Sequence, residues 1–152
     1  METSTPALTT SQQSMLAETV KGSDAELFVL LCLDAGLRKG EALGLRWGDI
    51  HLNDGAPYLD VRCVARQGFG GKPAYYAALK SKAACRSVPI TQRLLEALSR
   101  RRGESGHGDT PVVPLETAWP TTIRLPRSPG GHVTPHRLRH TYNTGNHGSD
   151  SI

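Results

Sequence analysis

Near its C-terminal end the chain reads Thr134-Pro135-His136-Arg137-Leu138-Arg139-His140-Thr141-Tyr142. Residues three and four apart on a helix are neighbours, so a helix here puts His136, Arg139 and His140 on one face and turns Arg137 elsewhere. Two imidazoles and a guanidinium side by side suit a phosphodiester, because a guanidinium stays charged at any working pH and can grip two oxygens at once. Pro135 fits the first helical turn, where its missing N–H costs nothing, and Thr134 is a natural N-cap. A helix N-terminus favours anions as well. The plainer reading of the same residues is a basic surface helix with solvated histidines.

The charge distribution weighs towards the phosphodiester. The net charge of the 152 residues is only +4, but it is unevenly placed. Val61 to Leu95 holds no Asp or Glu and carries Arg62, Arg66, Lys72, Lys80, Lys82, Arg86 and Arg93. Thr117 to Ser149 is again free of acids and carries Arg124, Arg127, Arg137 and Arg139. Two acid-free basic segments are the footprint of a polyanion partner. His132, His136 and His140 recur at a spacing of four, which can hold zinc. Arg137 and Arg139 stand where a zinc hydrolase needs a carboxylate, so neither a metal nor another cofactor is expected.

The length suits one domain with a real core. The three cysteines, Cys32, Cys63 and Cys85, form no CxxC pair and fit a reduced, cytoplasmic setting. No apolar run approaches membrane-spanning length and no signal-peptide pattern opens the chain.

The elements that must position these groups are legible as a mostly helical α+β fold with a small antiparallel sheet. Residues 1–10 read as a disordered tail. A short helix follows from Ser11 to Val20, with Met15, Leu16 and Val20 inward. Asp24 can cap a second helix, and Leu27 to Leu33, apolar on every side, marks a buried one. Gly36 is a natural stop, a third helix runs from Lys39 to Leu45, and Asn53-Asp54-Gly55 is a turn. Tyr58 to Arg66 alternates as a strand, with Leu59, Val61, Cys63 and Ala65 on one side. Tyr75 to Leu79 and Cys85 to Ile90 are two more. Thr91 to Arg102 is an amphipathic helix with a Leu94, Leu95, Leu98 stripe. Gly103 to Gly131, rich in Gly, Pro and Thr, is too long for a featureless loop and is expected to hide a short helix or to be poorly ordered.

Three stretches resemble a known family. The run Gly36-Leu37-Arg38-Lys39-Gly40-Glu41, continued by Leu45-Arg46-Trp47-Gly48-Asp49-Ile50, is similar to the first signature of the tyrosine recombinases, the phage integrase family. Lys80 to Ile90 resembles the family's lysine-bearing β-hairpin, and His136-x-x-Arg139-His140 resembles its second signature. The resemblance spans about Leu8 to Tyr142 with the motifs in family order, giving a partial catalytic domain over residues 11–142. It implies DNA cleavage and rejoining on double-stranded DNA, with other recombinase protomers as further partners and no membrane. By the same resemblance Arg38, His136 and Arg139 contact the scissile phosphate, and Lys80 protonates the leaving 5′-oxygen, with Lys82 as competitor for that role. Glu41 and His140 support the site, and Arg62, Arg66, Lys82, Arg86 and Arg137 are candidate DNA contacts.

The family's tyrosine nucleophile lies beyond the second arginine, and this sequence ends thirteen residues after Arg139. Residues 143–152 are polar with no apolar period, which reads as an aberrant, loop-like tail. Tyr142 shares a helical turn with Arg139, and Tyr58, Tyr75 and Tyr76 fall in or near the sheet, so none matches the nucleophile. The expectation is a C-terminally truncated recombinase domain, inactive alone, with a non-catalytic DNA-binding protein or regulator of a full-length recombinase as the alternative.

Overall fold

The computed structural model describes residues 7–23, 25–52, 55–66, 70, 75–79, 84–105, 108, 110–113, 123–124 and 132–146. Helix α2 (Glu26–Asp34) is the axis of the molecule: every one of its residues is buried. Its all-round apolar sequence permits this, because α1 (Thr10–Val20), α3 (Lys39–Leu43), α4 (Gln92–Ser105) and α5 (Pro135–Thr141) all pack against it. Ala25 stands at the α2 N-cap, and Asp24 lies outside the described residues.

Helices α2 and α4 run antiparallel and are clamped at both ends. Asp34, at the end of α2, accepts from Arg93 Nε (2.9 Å) and Nη2 (2.6 Å) near the start of α4, and from Thr91 Oγ1 (3.1 Å). Glu26, at the start of α2, accepts from Arg100 Nη1 (3.2 Å) and Nη2 (3.0 Å).

The chain is ordered earlier than its small, polar N-terminus suggests. Thr9 caps α1 through a reciprocal box with Gln12, and Leu8 is buried in the core. The buried stripe of α1 is Leu16 and Val20, four residues apart. Met15, one position off that stripe, is 45% exposed rather than inward.

The predicted strand from Tyr58 to Arg66 is two strands. β2 (Tyr58–Val61) pairs antiparallel with β1 (Ile50–His51) and with β5 (Arg86–Pro89). β3 (Cys63–Arg66) pairs antiparallel with β4 (Tyr75–Ala78). The partner changes at Arg62, which is drawn out of the ladder to Asp49, while the inward alternation persists through Leu59, Val61 and Ala65. A third ladder pairs β6 (Ile123–Arg124) with β7 (His132–Val133); β6 falls in the segment expected to hide a short helix or to be poorly ordered, most of which lies outside the described residues. Pairing across the segment overrides its Gly- and Pro-rich composition there.

Helix α3 lies almost on the backbone of β3. A Cβ at Gly44 would sit 2.8 Å from the Cys63 carbonyl oxygen and 2.9 Å from Val64 Cα. The residue must therefore be glycine for packing, not for its φ. After α5 the chain stays helical through one π-type turn, Tyr142–Asn146, where the polar composition predicts a loop.

Candidate functional site

The N-terminus of α5 and the start of α3 face each other across a cavity of about 490 Å³, lined by Arg38, Lys39, Thr134, Pro135, His136 and Arg139. Three of the four expected catalytic residues, Arg38, His136 and Arg139, are thereby brought to one place. The fourth, Lys80, and its competitor Lys82 lie outside the described residues.

Each wall follows from local chemistry. Thr134 caps α5 by accepting from the Arg137 N–H at 3.2 Å, and Pro135 takes the first helical position. His136 is exposed and Arg139 half-buried. Arg139 Nε donates to the Gly36 carbonyl at 3.1 Å, which fixes its guanidinium at the cavity wall. Gly36 itself is in the left-handed region, φ +70°, just past the end of α2. This reversal turns Leu37 into the core and leaves Arg38 exposed at the N-cap of α3.

Glu41 holds the Arg38 side of the cavity. Its Oε1 accepts from the Arg38 backbone N–H at 3.0 Å and from Arg86 Nη2 at 2.9 Å, and its Oε2 accepts from Arg86 Nη1 at 3.2 Å. Burial alone pushes this carboxyl up. The Arg86 hydrogen bonds and the Arg38 N–H, together with the charges of both arginines, outweigh it and hold Glu41 below the usual carboxylate range. A depressed folded-state value contributes stability above the ordinary glutamate titration, lost as the pH falls through the folded-state value. Glu41→Gln is therefore expected to lower stability by about 1–2 kcal/mol at neutral pH. This is less than the full cost of breaking a buried pair, because the Arg86 side chain is 35% exposed. The gap from wild type should close as the pH drops below about 4, checked by urea unfolding across the pH range.

Cys32 lies behind the two walls, fully buried. Burial pushes its thiol up to about 12, the Glu41 charge adds to this and the Arg139 charge opposes it. It is a packing residue between the two signature motifs.

The expected DNA-contacting cations divide. Arg66 is exposed at the end of β3. Arg62 Nε and Nη2 both donate to Asp49 Oδ1, at 2.9 and 2.5 Å, although the Arg62 side chain is 68% exposed. Arg86 is committed to Glu41 and to the Ala84 carbonyl, so it buttresses the cavity rather than presenting an open cation. Arg137 is 5% exposed, packed inside the fold on the opposite side of α5 from the cavity residues, and is not placed to meet a ligand. His140 is half-buried on α5 and is not among the residues that line the cavity. His132 sits in β7, before the helix begins, so its spacing of four from His136 does not put it on the α5 face.

Sequence reasoning missed one lining residue, Lys39, and the supporting role of Arg86. Lys39 lines the cavity beside Arg38, and its place directly after the signature arginine is the signal for it. Arg86 supports Glu41 from 45 positions away, and no local pattern marks that pairing.

None of the four tyrosines lines this cavity. The Tyr142 ring lies against Gly36, Tyr58 stacks on His51 with centroids 4.5 Å apart, Tyr76 lies 4.4 Å under the Arg46 guanidinium carbon, and Tyr75 is exposed on β4.

No family model matches the sequence. Tyrosine recombinase XerA of Pyrococcus furiosus is 33% identical over 129 residues, covering 78% of this chain and 39% of that protein. Among solved structures, the Tn1549 transposon integrase in complex with transposon right end DNA superposes with a TM-score of 0.73 at 16% identity. That match covers 99% of this chain and 56% of the integrase chain. The crystal structure of XerA recombinase matches at a TM-score of 0.59 and 21% identity, over 95% of this chain and 50% of that one. The chain thus spans about four tenths of the curated relative and about half of the solved chains.

Proposed function

The chain carries the catalytic-domain fold of the tyrosine recombinases, and on that premise we propose that its cavity grips a DNA phosphate for site-specific strand cleavage and rejoining. One observation carries this reading: Arg38 and the His136–Arg139 pair, about a hundred residues apart, line a single cavity at a capped helix N-terminus. Attack on a phosphodiester loads charge onto its non-bridging oxygens, and fixed guanidiniums meet that charge with no reorganisation. Arg38 and Arg139 take those oxygens, and His136 donates a further hydrogen bond or proton. Lys80, or Lys82 in its place, is the residue that the family resemblance gives for protonating the leaving 5′-oxygen. The XerA and Tn1549 proteins support DNA as the partner, the latter having been solved with DNA bound. Association with further recombinase protomers belongs to the same reading. Among the described residues no helix is long and apolar enough to cross a membrane, and the chain is assigned to the cytoplasm as part of this proposal.

The test is a titration of the 152-residue chain against labelled duplex DNA over a range of salt. Binding whose log K falls linearly with log salt is expected, and no binding at low salt would overturn the reading. Incubation with nicked duplex should leave no covalent protein–DNA adduct, because no tyrosine of this sequence lines the cavity. The same observation favours a second reading, a DNA-binding regulator of a complete recombinase. In that case adding the chain changes the recombination rate of such an enzyme.

A further inference from the structure

The segment ahead of α1 is tied to the helix that carries the cavity residues. The Leu8 backbone N–H donates to Thr141 Oγ1 at 2.9 Å across 133 positions of sequence. The same hydroxyl donates to the Arg137 carbonyl at 2.9 Å, one turn back along α5. Thr141 is completely buried and Leu8 is 4% exposed, so water does not compete for either bond. The hydroxyl is used both as donor and as acceptor, and both partners are backbone. On the other side Leu8 is fixed to α1: its carbonyl accepts from Gln13 Nε2 at 3.2 Å, and the Thr9–Gln12 box locks the next turn. Thr141 lies two residues beyond Arg139 and five beyond His136, at the opposite end of α5 from its cap.

We propose that Leu8 and Thr141 are positioning residues: the strap they form sets the lie of α5 and so couples the N-terminal segment to the phosphate grip. This rests on the DNA reading above. Helix α5 is seven residues long and with its π-type turn reaches only Asn146, too short to be stable alone, so its direction is set by what packs on it and ties it down. Thr134 caps its first turn, the Arg139–Gly36 bond and the Tyr142 ring against Gly36 fix its last turn to the end of α2, and the strap ties that last turn to the N-terminal segment. A small tilt of α5 would carry His136 and Arg139 away from Arg38, and misplacement of about 1 Å at such a site can cost about a hundredfold. Loosening residues 7–9 should therefore weaken DNA binding from a distance, without touching a cation.

The test compares Thr141→Val, which keeps the shape and removes the hydroxyl, with Thr141→Ser, which keeps the hydroxyl. DNA affinity is measured where urea titration shows each chain fully folded, together with amide hydrogen exchange in the absence of DNA. Thr141→Val should exchange faster at Leu138–Tyr142 than at α4 and bind DNA about tenfold more weakly. Its salt slope should be unchanged, because no phosphate contact is lost. Thr141→Ser should restore both. Should Thr141→Val not fold, Leu8→Ala keeps the N–H while loosening the strap, and a loss of about threefold in affinity is expected. Wild-type affinity in the folded variants, with or without faster exchange, overturns the proposal while leaving the DNA reading intact. Absence of salt-sensitive binding by the wild-type chain overturns that reading and the proposal with it.

Discussion

Replacing Arg38 by alanine is expected to weaken DNA binding about tenfold to a hundredfold while lowering the urea unfolding midpoint only slightly, through the loss of its minor share in holding Glu41 ionised. The separation of the two effects follows from geometry. Arg38 contributes to the fold through its backbone N–H, which Glu41 accepts, and that bond survives truncation of the side chain. Its side chain is exposed at the cavity mouth, so removing it leaves no buried partner unsatisfied. The slope of log K against log salt should fall by about one, the signature of a lost phosphate contact. Arg139→Ala should match it in affinity but not in stability, because the Gly36 carbonyl loses its Nε donor. Arg139→Lys should fail to rescue: an ammonium keeps the charge but offers no planar fork for two oxygens. Equal DNA affinity for wild type and Arg38→Ala would remove the cavity from the binding surface.

Gly36→Ala should be among the most damaging substitutions in the chain, at about 2–5 kcal/mol in urea unfolding. Two costs add. A φ of +70° is the left-handed region, which a residue with a Cβ enters at about 1–2 kcal/mol. That Cβ would also collide with the Tyr142 ring carbons Cδ2 and Cε2, and overpacking costs about 1–3 kcal/mol more. The ring cannot retreat without moving the end of α5, and the Gly36 carbonyl is also the anchor of Arg139. Stability and DNA affinity should therefore fall together. In a double-mutant cycle with Tyr142→Ala the collision part should be recovered and the φ part retained, giving a non-additive pair. Additive losses would mean that the ring and the glycine do not meet.

These two residues also mark how far the sequence could be read. Gly36 announced itself as a helix stop, but nothing near it in the chain said that Tyr142 would close over it. Arg38 was visible because its neighbours, a glycine turn before it and Gly40-Glu41 after it, form a compact local signature. Two of the candidate DNA contacts in the first acid-free stretch have carboxylate partners that the stretch itself does not show, while Arg66 is exposed. Arg62 is paired with Asp49 and Arg86 with Glu41, at separations of 13 and 45 residues, and Arg93 with Asp34 at 59. Arg137, on the far face of its own helix, turned out buried. An acid-free run does not leave its arginines unpaired, because a carboxylate from elsewhere in the chain can fold against them even where they still meet solvent.

By itself, then, the sequence determined what short-range physics governs. The buried α2 follows from an apolar run on every side, and the start of α5 from Thr134 and Pro135. The inward alternation of Leu59, Val61 and Ala65 follows from a period of two, and Arg139 beside His136 from helical spacing. Each depends on residues within a turn or two of each other. The tertiary structure alone decided which charges remain available. It set Arg38 opposite His136 and Arg139, tied Arg139 to Gly36 across 103 residues, exchanged strand partners at Arg62, and bound Leu8 to Thr141. Local periodicity carries no information about a partner so far along the chain. That choice is made only when packing around α2 brings the distant segments together.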